Sequence, residues 1–262
     1  MKLSLEHPDL TLRSGRGVKV AVIDSGIHEG NPHIGVVAGG VALDQAGQLS
    51  NDWTDRLGHG TAVAAAILEK APNVELHAVK VFHDELVTGS SVLVKAIEWA
   101  ANLSADLINL SLGTDNPKHE ERLRAAVAGA TKNGSLIVAA GAQKGHRWLP
   151  GSLPCVVSVQ LDLDCRRDTI HLYDWHRCPS GGHPMQSAGG IRSSQPPSIC
   201  ASGYPRPIPG VPPERNLKGI SFAVANATGF LARILESAPT TTSNMQGAAR
   251  LLSALDHLMQ LK

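Results

Sequence analysis

Val18-Lys19-Val20-Ala21-Val22-Ile23-Asp24 is a short, β-rich run that ends on an acid. Apolar residues stand at nearly every position, not at every second one. That pattern marks a strand covered on both faces, as in a parallel sheet sandwiched by helices. Outward from this strand the chain alternates. His59 opens a stretch of good helix formers, Ala62-Val63-Ala64-Ala65-Ala66-Ile67-Leu68-Glu69, which Pro72-Asn73 breaks. Val74 to Phe82 returns as a strand. Ser90 or Ser91 is positioned to cap the next helix, which runs to about Asn102 with Val94, Ile97 and Trp99 among its apolar residues. Leu107-Ile108-Asn109-Leu110 is a strand, and Pro117 to Asn133 a helix stopped by Gly134. Leu136-Ile137-Val138-Ala139-Ala140 and Val156-Val157-Ser158-Val159 are two further strands. This alternation predicts an α/β fold: a doubly wound, mostly parallel sheet with helices on both faces, in three layers. Sites in such sheets lie beyond the carboxyl ends of strands. Asp24, Ser111 to Gly113 and Gly141 all fall there.

A chain of 262 residues that is 42% hydrophobic is long enough for a sizeable core, and the expectation is one domain over residues 1–262. With only 3% aromatic residues, that core must be built from Val, Leu, Ile and Ala. Between Asp162 and Gly219 the text turns to Gly, Pro, Ser and Arg, with Pro-Pro at 196–197 and 212–213, which reads as turns, short strands and loop. The segment 244–262 is amphipathic. Met245, Ala248, Leu252, Leu255 and Met259 recur at helical spacing, as in a helix docked on the domain.

A formal net charge of +1, with no long run of either sign, argues against a nucleic-acid or anionic-membrane partner. The opening Met1 to Asp9 lacks the apolar stretch of a signal peptide, and no later run is long enough to span a bilayer, so a cytoplasmic protein is expected. Cysteines 155, 165, 178 and 200 form no dense framework and read as reduced thiols. Cys165, His171, His176, Cys178 and His183 fall within nineteen residues, a grouping that raises the question of zinc. Without a Cys-x2-Cys pair they read as ordinary loop residues, and no metal or other cofactor is expected. Arg166-Arg167 reads as a solvated or salt-bridged pair, with docking of an acidic substrate as the lesser alternative.

Three short words carry the chemistry: Asp24-Ser25-Gly26, His59-Gly60-Thr61 and Gly219-Ile220-Ser221-Phe222-Ala223. A serine hydroxyl needs a neighbouring base, histidine titrates near working pH, and a carboxylate fixes the imidazole tautomer. Singly the three are a strand-end acid, a helix-start histidine and a helix N-cap serine. Together, in the order Asp, His, Ser, they match one of the three known chain orders of the triad. On these words the chain resembles the subtilisin-family (subtilase) serine proteases, from about Val18 to Leu235. The resemblance implies Asp24 as orienting acid, His59 as general base and Ser221 as nucleophile, with Gly60 and Gly219 giving the backbone room to turn. Asn109-Leu110-Ser111-Leu112-Gly113 resembles the family's substrate-pairing strand, which implies that Ser111, Leu112 and Gly113, with Ala140 and Gly141, hold an extended peptide. Gly113 would leave room for its close approach. Leu149 to Val159 resembles the segment leading out of the specificity-pocket wall, and Thr228-Gly229 the close helix packing after the nucleophile.

The family's usual Asn after Ala-Ala-Gly, a donor to the oxyanion, is here Ala142, and the usual Thr before the nucleophile is Ile220. Loss of such a donor costs on the order of a hundred- to thousand-fold in rate, a figure established on subtilisin itself. The Ser221 backbone N–H remains as a donor, and Gln143 is a candidate substitute. The family's main calcium-loop insertion is not seen, because Leu68-Glu69-Lys70-Ala71-Pro72 runs straight into the next strand. Only 23 residues precede Asp24, so no inhibitory pro-segment is expected. The expected function is an intracellular serine endopeptidase that processes a peptide or precursor-protein substrate. A pseudoprotease that binds peptide with little turnover is the alternative, and an esterase or ligase using the same acyl-enzyme stays open.

Overall fold

The run from Val18 to Asp24 is the middle of the sheet. In the computed structural model of the protein, which describes residues 1–142, 146–173, 198–207, 209–212, 215–238 and 247–260, it forms β2 (Lys19–Asp24). Val20 and Val22 point into one apolar cluster, while Ala21 and Ile23 point into a second on the opposite face. Side chains alternate across a strand, so a strand with two covered faces must be apolar throughout.

β2 pairs in parallel with β5 (Glu75–Lys80) on one side and β6 (Leu107–Leu110) on the other. Beyond β5 lies β3 (Val37–Leu43). Beyond β6 follow β7 (Leu136–Ala140), β8 (Val156–Asp162) and β10 (Ser198–Ser202), all parallel. Antiparallel strands finish both ends. β9 (Thr169–Tyr173) pairs with β10 and with β1 (Lys2–Ser4), and β4 (Leu49–Ser50) pairs with β3. The order is β1-β9-β10-β8-β7-β6-β2-β5-β3-β4. After β2 the chain goes first to the β3–β5 side and then to the β6 side, so the order reverses at β2. A switch point of this kind opens a crevice at the carboxyl ends.

On one face, the short α1 (Pro8–Thr11) and the helices α2 (His59–Lys70), α5 (Ile220–Glu236) and α6 (Gly247–Gln260) bury residues in the first cluster. On the other face, α3 (Ser90–Asn102) and α4 (Glu120–Lys132) fill the second. The expected three layers are present. α5 is buried nearly all round and lies tight against α2: a Cβ on Gly229 would sit 2.6 Å from Lys70 Cβ and 3.0 Å from Ile67 O. Only glycine allows that approach. Among the described residues no helix is long and apolar enough to cross a membrane.

Several elements differ from expectation. Neither Ser90 nor Ser91 caps α3; Gly89 holds the cap position, with no side-chain bond. Pro117–His119 is a 3-10 turn capped by Asn116, and α4 follows it. Gly134 does end that helix, with φ of 87°. The Pro- and Gly-rich stretch contains β10, a buried member of the parallel sheet. α6 docks on α5 through Leu251, Ala254, Leu255 and Leu258, a face turned from the expected one, and Met245 lies outside the described residues. Arg250 fastens it to Asp106 (2.6 Å) and to Leu235 O (3.2 Å). Only residues 71–74 join α2 to β5. Arg167 pairs with Glu69 and Arg166 with Asp168, so both arginines are salt-bridged.

One polar tie crosses the first layer. Asn109 on β6 is fully buried; its Oδ1 accepts from Thr228 Oγ1 of α5 (2.9 Å) and its Nδ2 donates to Ser111 Oγ (3.1 Å). Replacing Thr228 by Val keeps the shape and leaves Asn109 Oδ1 buried without that partner. Thr228→Val should cost about 1–3 kcal/mol, read as a lower urea midpoint at unchanged m-value.

Candidate active site

Asp24 closes β2 with its side chain fully buried. The Ser25 N–H donates to its Oδ1 (2.7 Å), and so does His59 Nδ1 (2.7 Å), which fixes the proton on that ring nitrogen. His59 is the first residue of α2, and the next residue explains how it comes so close. A Cβ on Gly60 would meet Gly26 O at 2.2 Å and Asp24 Cβ at 3.2 Å, while the Gly60 N–H donates to Ser25 Oγ (2.8 Å). A side chain there would lift α2 off the end of β2. Gly219 has no such role: its φ of 163° is ordinary extended backbone, and nothing lies within 4 Å of a Cβ placed on it.

The start of α2 is held by a residue the sequence reading passed over. The N-cap position is Gly58, which has no side chain to offer. Asp55 substitutes from three residues earlier. Its Oδ1 accepts from the N–H groups of Leu57 (2.9 Å) and Gly58 (2.8 Å), and its Oδ2 from Thr61 N–H (2.9 Å) and Thr61 Oγ1 (2.6 Å). Thr61 Oγ1 in turn accepts from His28 N–H (3.0 Å). These bonds satisfy donors that a helix start leaves free. Burial pushes the Asp55 carboxyl up, but the Thr61 and Gly58 hydrogen bonds outweigh it and hold it below the usual range. The signal was present as an acid shortly ahead of His59, though not at the usual cap spacing.

Burial alone would lower the His59 pKa. The hydrogen bond and charge of Asp24, with the further charge of Asp55, override it and raise the imidazole above its ordinary 6.5. The His59 ring lies 6.2 Å, centroid to centroid, from Phe222. That contact brings the imidazole to the first turn of α5, where Ser221 stands.

Ser221 and Ser111 hold each other across the gap between β6 and α5. Ser221 Oγ donates to Ser111 O (3.3 Å), and Ser111 Oγ donates to Ser221 O (3.2 Å). Among the described residues no hydrogen bond joins His59 to Ser221 Oγ. The Ser221 N–H lies in the first turn of α5, where a helix has no acceptor of its own for it. Beyond β7, Gly141 N–H donates to Val159 O (2.8 Å), and Ala142 follows with only a methyl group. Gln143, the candidate substitute donor, lies outside the described residues.

Ser111 is buried and Leu112 packs against the second core cluster. The room expected beside Gly113 is taken by this chain itself: a Cβ there would meet Trp148 Nε1 at 2.4 Å and Leu149 O at 2.5 Å. Thr114 exchanges both backbone bonds with Leu149 (2.9 and 2.8 Å). In an extended segment successive residues face opposite edges. Leu149 therefore covers the edge of Thr114, and the backbones of Ser111 and Gly113 face the other edge, where Ser111 O accepts from Ser221 Oγ. Of the residues weighed for zinc, Cys165 donates to Thr169 O (3.3 Å) and His171 lies on β9, while His176, Cys178 and His183 lie outside the described residues. Cys165 and Cys200 are unbridged thiols.

A buried strand-end acid bonded to an imidazole, with a helix-start hydroxyl beside it on a doubly wound sheet, defines an α/β protein with the Asp-His-Ser order. The subtilase family model matches residues 15–260, and the chain belongs to the subtilase family. It is 38% identical over 242 residues to Subtilisin BL of Lederbergia lenta, covering 89% of this chain and 81% of that one. It is equally identical over 242 residues to an alkaline protease of Alkalihalobacillus alcalophilus, of which it spans 57% while 89% of this chain is matched. To Subtilisin DY of Bacillus licheniformis it is 38% identical over 140 residues, 50% of this chain and 49% of that one. The chain thus spans about half the length of some of these curated relatives. Among solved structures, the protease domain of PatA, in a serine-to-alanine mutant form, matches with a TM-score of 0.60 at 23% identity, over 96% of this chain and 98% of that one. The prenylagaramide maturation protease PagA matches with a TM-score of 0.56 at 23% identity, over 92% and 93%. Both share the fold.

Two outcomes follow from the charges at His59. In Ser221→Ala protein, the His59 ring should titrate above 6.5 by NMR; adding Asp24→Asn should bring it below, because burial, the largest influence, is then opposed by the Asp55 charge alone. A raised folded-state pKa means that His59 contributes its full stabilisation below about pH 6.5 and loses it as pH rises through the folded value. Asp55→Ala should cost about 1–2 kcal/mol of stability and also lower the His59 midpoint, a shift that loss of a remote helix cap would not produce.

Proposed function

We propose that the protein is a serine endopeptidase in which Ser221 is the nucleophile, His59 the general base and Asp24 the residue that orients and charges it. The 2.7 Å Asp24–His59 bond, set beside the first turn of α5, carries this reading. At rest the Ser221 hydroxyl is engaged by Ser111 O. An extended peptide lying along Ser111 and Gly113 brings an N–H that takes Ser111 O, and the freed hydroxyl turns to His59 Nε2. Ser221 Oγ then attacks the scissile carbonyl carbon while its proton passes to Nε2. Asp24 stabilises the imidazolium, in line with the raised His59 pKa. The same proton goes to the leaving amine as the C–N bond breaks; water, deprotonated by His59, then attacks the acyl carbon, and the C–Oγ bond breaks as His59 returns that proton to Ser221 Oγ.

The negative charge on the former carbonyl oxygen meets the Ser221 N–H and the N-terminal end of α5. The side chains of Ala142 and Ile220 contribute no donor. Slow chemistry of this kind suits cleavage of a peptide or precursor protein at a defined site, in preference to general degradation. PagA, which shares the fold, is a prenylagaramide maturation protease. A second reading, a peptide-binding module with little turnover, draws on the same two residues and on the resting bond of Ser221 to Ser111.

A fluorophosphonate probe should label wild-type protein on Ser221 and fail to label Ser221→Ala or His59→Ala; absence of an adduct in folded wild-type protein would select the binding module. Casein should be cut slowly and at few sites. Ala142→Asn should raise kcat by roughly ten- to a hundred-fold with KM little changed. An unchanged kcat would mean that the oxyanion is already fully served.

A further inference from the structure

A cavity of about 440 Å³, within the size range of ligand sites, opens between the start of α2 and the segment that leads into α5. One wall is the start of α2, with Gly58, which immediately precedes His59, and Thr61 and Ala62. The facing wall is Asn216 and Leu217, a few residues before Ser221. None of Ser111 to Gly113, Ala140 or Gly141 contributes to it. The cavity thus lies between the two chain segments that lead into His59 and Ser221, apart from the segment along which the peptide is proposed to lie.

The chemistry of the cavity is lopsided. Ala62, Ala65 and Pro205 form an apolar floor, and the side chain of Leu217 is 65% exposed at its edge. The charged lining is Arg56, Arg206 and Asp55, with His28 and His33 adding two imidazoles. Asp55 is spent, because both its oxygens accept from Leu57, Gly58 and Thr61. Arg56 is neutralised by Asp52 at 2.8 Å. Arg206 differs. Its backbone carbonyl accepts from Asn216 Nδ2 (3.0 Å), but among the described residues its guanidinium has no carboxylate partner. Among the described residues, then, a half-buried guanidinium without a carboxylate partner lines a cavity whose one carboxylate is spent, and such a lining favours an anion.

Resting on the endopeptidase reading above, we propose that this cavity receives the first residues on the leaving side of the scissile bond and selects an acidic side chain among them, with Arg206 as the specificity-determining residue. Peptides sharing one sequence before the bond, and carrying Glu, Gln or Lys at each of the first few positions after it, test this. At one of these positions wild-type protein should cleave the Glu peptide roughly five- to tenfold faster in kcat/KM than the Gln peptide, with Lys the poorest. Arg206→Gln should level Glu with Gln, and Arg206→Glu should invert the order of Glu and Lys. Equal kcat/KM for the three peptides at every position, or a Glu preference that survives Arg206→Gln, would overturn the proposal. Binding of the same peptides to Ser221→Ala protein, followed by fluorescence anisotropy, asks the question without turnover. Tighter binding of Glu, lost on adding Arg206→Gln, supports the cavity; equal binding overturns it. A wild-type protein that takes no fluorophosphonate label but still discriminates the peptides would sink the endopeptidase reading and leave the cavity standing.

Discussion

The hydrogen bond from His59 Nδ1 to Asp24 Oδ1 joins the carboxyl end of the central strand to the first residue of a helix, and much of the molecule serves that junction. It requires β2 to be buried on both faces, because a carboxylate at the end of a mobile strand would not hold an imidazole in place. It requires a glycine at 60, since the helix axis must pass within backbone contact of Gly26. It also requires the free donors at the helix start to be answered from elsewhere, which Asp55 does. The tight seat of α5 on α2, made possible by Gly229, then sets how far Ser221 stands from the imidazole.

Both reacting side chains sit at helix N-termini, where the macrodipole is positive. The effects on the two are opposite in use. At His59 that field and burial both work against the imidazolium, and two carboxylates, Asp24 and Asp55, reverse the balance. On the proposed mechanism the field at Ser221 is put to use, because an oxyanion would form at that helix end. With no side-chain donor from Ala142 or Ile220, the end of α5 and the Ser221 N–H would then carry more of the stabilisation than they would beside an Asn.

The central strands, α2 and the long helices on both faces were legible because their periodicity is strong and their ends carry glycine or proline. β3 was not, since Gly39 and Gly40 interrupt its apolar run, and β10 lies in text dominated by turn formers. The buried face of α6 was misjudged by about one position: Leu252 stands at the right spacing, but Leu251 and Leu258 are the residues its neighbours cover. The identities of Asp24, His59 and Ser221 could be read from three short words. Their mutual geometry could not, because the resting partner of Ser221 Oγ is a backbone carbonyl, which leaves no trace in residue identity. Asp55 and Arg206 escaped notice for a related reason: each matters through what surrounds it, not through a motif.

The two outermost strands of the sheet, β1 and β4, are three and two residues long. An exposed strand edge is a template on which a second chain can assemble, and length decides how well it works. A ten-stranded sheet with long outer strands would invite stacking edge to edge into ordered aggregates. Here β1 and β4 themselves offer a stray β-strand only three and two residues of backbone, so each outermost strand is a poor template for addition of its own kind.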